Sequence, residues 1–337
     1  MQYHACSLAK RCRVTLIGYA GSPAVSGPNI SEIRFAPPRG PRLLKLIVMM
    51  WRFARAFVRA GRADVALVQT PPAPVIFVAW LFAPVVCDWH NLGFTLSSRF
   101  RTCYYFLERL AAKLPQRHIC VTAAMAGWLA SQFGVVAFPA PDRPPDMFGR
   151  GDREELRKRL GLDDRPLLVS STSWTPDEDF GMLAEALDLY GGRLLVIVTG
   201  KGELRSEFEA LIRDRYSKIE VRTRWFDDPR DYASLLAAAD LGLSLHSSTS
   251  GLDLPMKVVD MLGAGLPVLA LEFPTIGELV HHGSNGLIFR DAKSLAEAMK
   301  TAFSQLPQLR KHAKFAERWD DMWDANVHPI LLPYLEE

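Results

Sequence analysis

The strongest constraint on the fold is the regular alternation of short apolar runs and amphipathic segments through the second half of the chain. Pro166–Ser171, Arg193–Val198, Lys218–Arg222, Asp240–Leu245, Pro267–Leu271 and Gly286–Phe289 read as strands. Helical patterns fall between and after them, over about 176–190, 203–215, 231–239, 255–263, 275–281 and 292–305. The first of these helices carries a start signal in Thr175-Pro176-Asp177-Glu178. Thr175 reads as the N-cap, Pro176 as the first helical residue and Glu178 as the reciprocal capping partner. Strands alternating with helices at this spacing predict a parallel sheet covered on both faces. Ligands bind such sheets beyond the C-terminal ends of the strands.

The first half repeats the pattern less regularly. Strands fit at Arg13–Gly18, Val65–Gln69, Val85–Asp88 and His118–Thr122, with a weaker one at Val135–Phe138. Four prolines between Pro139 and Pro145 mark a hinge. The predicted organisation is two Rossmann-like, doubly wound α/β domains facing a cleft, over 1–145 and 150–310. A helical segment, 311–337, is predicted to return to the first domain. A length of 337 residues suits two domains. The chain opens directly in a helical pattern, Met1–Lys10, whereas a doubly wound domain begins with a strand and a phosphate-approaching turn. The first strand is therefore expected to be missing or to lie upstream.

Charge divides the halves. Residues 1–150 carry 18 Lys and Arg against 6 Asp and Glu; the remainder carries 22 against 31. A basic half suggests an anionic partner: nucleic acid, anionic lipid or a phosphorylated substrate. Arg42, Lys45, Arg52, Arg55, Arg59 and Arg62 are spaced to fall near one stripe of a helix, with Leu43, Leu44, Ile47, Met50, Trp51, Phe53, Phe57 and Val58 between them. That pattern fits a helix lying on an anionic membrane surface. No nucleic-acid motif accompanies it, so no nucleic-acid partner is expected. The five cysteines include no C-x-x-C pair and none lies in the second half, which argues against a disulfide framework and a structural zinc. The opening residues are too polar for a signal peptide. The most apolar stretch, Ala73–Cys87, is too short to span a bilayer, which takes about 20 residues.

Two strand–turn–helix junctions suit a diphosphate. Gly200-Lys201-Gly202 allows close backbone approach, and Ser250–Lys257 offers a glycine turn, a helix start and a lysine. Asp260, one turn into the following helix, is placed to accept from ribose hydroxyls.

Leu168–Phe180 (LVSSTSWTPDEDF) and Ser250–Met261 (SGLDLPMKVVDM) resemble the chitobiosyldiphosphodolichol β-mannosyltransferase family. So do Met1-Gln2-Tyr3-His4-Ala5, Asp88-Trp89-His90-Asn91, Thr199–Gly202 and Glu278–Leu287. The resemblance implies a GT-B fold and inverting transfer of mannose from GDP-mannose. The implied acceptor is a dolichyl-diphosphate-linked chitobiose, or that of another polyprenyl. It further implies a peripheral enzyme on the cytosolic face of a membrane, the endoplasmic reticulum in a eukaryote or the plasma membrane in a prokaryote. Gly200, Lys201, Gly202, Ser250, Gly251, Asp253, Lys257, Asp260 and Glu278 would line the donor site. The wider superfamily's E-x7-E motif is half present, with Asp253 beside the position of its first acid. Other glycosyltransferases are candidate partners. No cofactor and no metal are expected, since lysines and helix ends take the cation role.

Inversion needs a base. Asp88 and His90 follow a strand end and have the right chemistry, and His4 is a third candidate. Two alternatives stand beside this reading. One is a glycosyltransferase with another nucleotide-sugar and a bacterial-type lipid-linked acceptor. The other is an inactive, membrane-associated scaffold.

Overall fold

The structure is a computed structural model. It describes all residues except 22, 23, 26, 97–99, 150, 176, 177, 336 and 337, and it describes the backbone but not the side chains of 42 and 43. The chain forms two compact units, residues 1–141 with 320–337, and residues 142–319. The C-terminal segment is thus divided: 311–319 stay with the second unit and 320–337 belong to the first.

The first unit runs α1 (Gln2–Ala9), β1 (Val14–Tyr19), β2 (Ile30–Phe35), α2 (Arg42–Ala60), β3 (Ala66–Thr70), α3 (Val75–Trp80), β4 (Val85–Trp89), α4 (Arg101–Ala111), β5 (Arg117–Cys120), α5 (Ala123–Trp128) and β6 (Phe138–Pro139). All pairings are parallel, but they make two sheets, β1-β2 and β3-β4-β5-β6. Strand β2 was not predicted. Its sequence, ISEIRF, interleaves an acid and a base, and Arg34 pairs with Glu32 at 2.8 Å along the strand. Strand β4, VVCDW, is buried throughout, so its Asp88 must find partners inside the unit.

The second unit runs α6 (Arg153–Leu160), β7 (Leu167–Ser171), α7 (Phe180–Tyr190), β8 (Leu194–Thr199), α8 (Arg205–Ile212), β9 (Ile219–Arg224), α9 (Pro229–Ala238), β10 (Leu241–Ser244), α10 (Met256–Gly263), β11 (Val268–Leu271), β12 (Gly286–Phe289), α11 (Ala292–Ser304) and α12 (Leu306–His312). Six parallel strands lie in the order β12-β11-β10-β7-β8-β9. Apolar clusters cover both faces, one around Leu168, Val196 and Leu243, the other around Val169, Ile197 and Val268. That is why these strands read as continuous apolar runs. The order reverses between β7 and β10, the switch point at which such sheets bind ligands.

Two predicted helices are corrected. Helix α7 starts at Phe180, capped by Asp179, whose side chain accepts from Met182 N at 2.9 Å. Pro176 lies outside the described residues, and Glu178 sits in a bridge with His246 rather than in a capping box. The segment 275–281 makes one turn of 3-10 helix, Ile276–Glu278. The C-terminal segment is helical, with α13 (Trp319–Met322), a wider turn over Trp323–Val327 and α14 (His328–Leu331).

Candidate functional site

In the first unit the chemistry gathers on Asp88, which is 2 % exposed at the end of β4. His90 Nε2 lies 2.8 Å from Asp88 Oδ2, and His4 Nε2, from α1, lies 3.3 Å from the same oxygen. Burial on its own would raise the Asp88 carboxyl. The hydrogen bonds of His90 and His4 outweigh it and hold the carboxyl well below the usual range. An ionised carboxylate only accepts, so His90 must donate through Nε2, which leaves its lone pair on Nδ1. The His90 side chain is 24 % exposed, against 3 % for Asp88. The predicted pair therefore comes together, with the third candidate, His4, against it. Asp88 is the buried member of the cluster and His90 the partly exposed one.

Sequence reasoning missed the support of this cluster. Trp323, fully buried after α13, donates its indole N–H to His4 Nδ1 at 3.0 Å. Nothing in the sequence near 323 links it to residue 4. Glu108 on α4 accepts from Gly93 N at 2.8 Å and Phe94 N at 3.2 Å and so pins the loop that follows His90. Burial pushes the Glu108 carboxyl up to about 7 against these two hydrogen bonds. Among the described residues, His4, Asp88 and His90 form the one group able to gather on a metal ion. The donor set does not suit one, because the indole N–H occupies Nδ1 of His4 and leaves the ring proton on Nε2, where a metal would bind.

The proposed membrane face is corrected in detail. On α2 the side chains that turn outward are Leu44, Ile47, Trp51 and Val58, an apolar stripe with Trp51 58 % exposed. Lys45, Arg55 and Arg59 flank it, and Arg55 lies over the Trp51 ring at 5.5 Å. Arg52 instead bonds the Ala36 carbonyl, Arg62 lies past the helix end, and the Arg42 side chain is outside the described residues. At the end of α3, Trp80 and Leu81 are also exposed, and Phe82 stacks on Phe57 of α2 at 5.5 Å. No helix of the described residues is long and apolar enough to cross a membrane.

In the second unit the predicted donor residues follow β8, β10 and β11, with β7 lying between β8 and β10. Gly200 and Gly202 follow β8 and pack on the segment after β7. A Cβ on Gly200 would meet Thr172 O at 1.9 Å, and one on Gly202 would meet Ser173 O at 2.0 Å. Close backbone packing thus explains both glycines. Lys201 is exposed, 4.3 Å over the Trp225 ring and 3.7 Å from Asp227. Lys257, at the start of α10, pairs with Glu178, which is buried and also accepts from Thr172 Oγ1 and from Ser173 N. Glu178 is the residue that pattern reading misplaced, because Thr175, Pro176 and Glu178 have the spacing of a capping box.

Asp253 binds the Ser248 hydroxyl, accepts from Ser250 Oγ at 3.2 Å and lies 3.4 Å from His246. Burial raises its carboxyl, but the His246 and Ser248 hydrogen bonds prevail and hold it low. It organises the 246–253 loop, in which Gly251 N donates to Ser248 Oγ at 2.8 Å. Asp260 faces another carboxylate, Asp142. Burial and that like charge push it up to about 7. Beside it, Tyr232 and Ser171 share a 2.6 Å hydrogen bond. Glu278 is exposed on the 3-10 turn.

Comparison with known proteins places this arrangement. The family model for a glycosyl transferase 4-like domain matches residues 2–140, and that for glycosyl transferases group 1 matches residues 163–305. Chitobiosyldiphosphodolichol beta-mannosyltransferase of Mus musculus is 33 % identical over 98 % of this chain and 86 % of its own. The Homo sapiens protein of that name is 32 % identical over 98 % and 89 %. UDP-glycosyltransferase TURAN of Arabidopsis thaliana is 33 % identical over 98 % and 94 %. Among solved structures, sucrose-phosphate synthase from Thermosynechococcus elongatus superposes with a TM-score of 0.77 at 15 % identity, covering 98 % of this chain and 90 % of that one. Anabaena HepE in complex with UDP and glucose superposes with a TM-score of 0.65 at 18 % identity, over 85 % and 81 %. The structures support the GT-B fold alone; the full-length identity goes further, and the chain belongs to the chitobiosyldiphosphodolichol beta-mannosyltransferase family.

Proposed function

We propose that this chain is an inverting hexosyltransferase that moves mannose from GDP-mannose to the outer sugar of a dolichyl-diphosphate-linked chitobiose, forming a β-1,4 bond. The observation that carries the reading is identity of about a third, over nearly the whole chain, to enzymes that bear this activity in their names. The acceptor hydroxyl attacks the anomeric carbon as His90 Nδ1 takes its proton. The bond from that carbon to the diphosphate breaks, and GDP leaves with the electron pair. Asp88 orients His90 and stabilises the imidazolium that forms. On the donor side, Lys201, Lys257, the start of α10 and the Gly200–Gly202 and Ser250–Gly251 turns supply positive potential to the leaving diphosphate. Lys257 would exchange or share its contact with Glu178 when a diphosphate arrives. Asp260 would hold the ribose, with Asp253 and Glu278 shaping the sugar pocket. No resident metal is invoked.

The apolar stripe of α2 and its flanking cations support a peripheral protein on an anionic leaflet, the cytosolic face of the endoplasmic reticulum in a eukaryote or of the plasma membrane in a prokaryote. Neighbouring glycosyltransferases of that pathway are the expected protein partners. A transfer assay tests the whole reading. Purified protein is given a synthetic polyprenyl-diphosphate chitobiose with GDP-mannose, or with UDP-sugars in parallel because the Arabidopsis relative is named for UDP. GDP release with a β-mannosylated trisaccharide is expected. Transfer from a UDP-sugar alone would reject the donor, and no transfer from any donor would favour the scaffold alternative.

A further inference from the structure

Asp88 holds two imidazoles on one carboxylate oxygen, and the cluster would work poorly if they were interchangeable. The difference between them comes from the far end of the chain. Trp323 can only donate, so the nitrogen it touches, His4 Nδ1, must accept. The ring proton of His4 then sits on Nε2, the nitrogen 3.3 Å from Asp88 Oδ2. A second proton on His4 would have to displace the indole. We propose that Trp323 is a positioning residue that fixes His4 as the Nε2–H tautomer, a permanent hydrogen-bond donor to Asp88, so that His90 alone of the two imidazoles accepts the substrate proton.

The inference rests on the reading of His90 as base, but its structural half stands apart from it. Trp323 is itself held firmly. The His328 ring stacks on it at 5.8 Å and the Arg11 guanidinium lies over it at 5.3 Å. Arg11 is tied in turn to Asp324 at 2.8 Å. Next to α1, Lys10 pairs with Asp320 at 2.6 Å, and Ser7 donates to Asp320 at 3.2 Å. Asp320 and Asp324 of the C-terminal segment are therefore already paired with Lys10 and Arg11, just past α1. The same device occurs once more in this unit. Trp89 donates to His118 Nδ1 at 3.1 Å, and His118, held back first by burial and then by Lys113, is pushed down to about 4. There, among the described residues, no ion pair joins the imidazole to a carboxylate.

Two measurements test the proposal. In the unaltered protein, labelled with nitrogen-15 histidine, the His4 signals (identified by their loss in His4→Gln) should report an unprotonated Nδ1 and a protonated Nε2 near neutral pH. An Nδ1–H tautomer or a doubly protonated ring would overturn the proposal whatever the activity. The second is a double-mutant cycle. Trp323→Phe should lower kcat about 10-fold with the KM for GDP-mannose unchanged. In the His4→Gln background, where the amide donates to Asp88 without help, the same change should alter kcat less than about 2-fold. Equal losses in both backgrounds would make Trp323 a packing residue only. Full activity of His90→Ala would instead sink the base assignment while leaving the tautomer result intact.

Discussion

Asp88 in the first unit and Asp260 in the second are both carboxylates taken largely out of water, yet they are driven in opposite directions. Two imidazole donors hold Asp88 ionised, whereas Asp260 has Asp142 as its charged neighbour and is pushed up to about 7. Desolvation acts the same way on both, so the partner decides. The comparison teaches where each acid can serve: Asp88 as a fixed charge behind a base, Asp260 as a group that can offer a proton or a lone pair to a hydroxyl. Glu178 lies between these cases. It is as buried as Asp88 but is matched by a cation, Lys257.

The largest effect expected is at Asp88. Asp88→Asn removes the fixed charge and should cut kcat about 10³-fold while GDP-mannose affinity stays within about 2-fold. Next is the Glu178 pair. Lys257→Ala leaves a buried carboxylate without its cation and should cost about 3 kcal/mol in chemical denaturation. Replacing both residues, as in Glu178→Gln with Lys257→Met, should recover most of that loss, because no bare charge is then left inside. Unchanged stability in Lys257→Ala would mean that Lys257 matters through the donor alone.

Asp260 gives a smaller, pH-dependent effect. Its carboxyl is raised in the folded state, so the fold binds a proton that the unfolded chain has released. Stability is therefore full at acid pH, falls as pH rises from the usual carboxylate range through about 7, and stays reduced above that. Asp260→Asn should change little at pH 4 and stabilise by about 1 kcal/mol at pH 8, a figure discounted for the solvent that the carboxyl still meets. A gain at pH 4 would reverse the argument. Smallest per residue are the cations beside the apolar stripe of α2. Each of Lys45, Arg55 and Arg59 changed to Gln should weaken sedimentation with phosphatidylserine vesicles by about 1 kcal/mol, and Arg52→Gln should do less because it faces Ala36.

Much of this was legible in the sequence, and the exceptions have physical causes. The second sheet was readable because its inner strands are buried on both faces and largely apolar, as in LLVIVT of β8, whereas the edge strand β9, IEVRTR, is charged and partly buried. Strand β2 was hidden because none of its residues is fully buried and two of them, Glu32 and Arg34, carry paired charges. Asp88 and His90 were found because they are two residues apart at a strand end. Their support was not, because His4 to Trp323 is a contact across 319 positions and no local pattern encodes it. Glu178 was misplaced for a related reason: an acid beside a proline reads as a cap, and only the Lys257 contact, 79 residues away, reveals its task. The basic stripe of α2 was read as amphipathic, but spacing cannot tell that Arg52 bonds the Ala36 carbonyl while Trp51 is exposed.

The most direct test of the account is the turnover of His90→Ala with GDP-mannose and lipid-diphosphate chitobiose, measured with and without added imidazole. The account predicts a loss of at least about 10²-fold in kcat, unchanged binding of GDP-mannose, and partial recovery by imidazole. Turnover at the level of the unaltered enzyme, or a loss confined to donor binding, would contradict it.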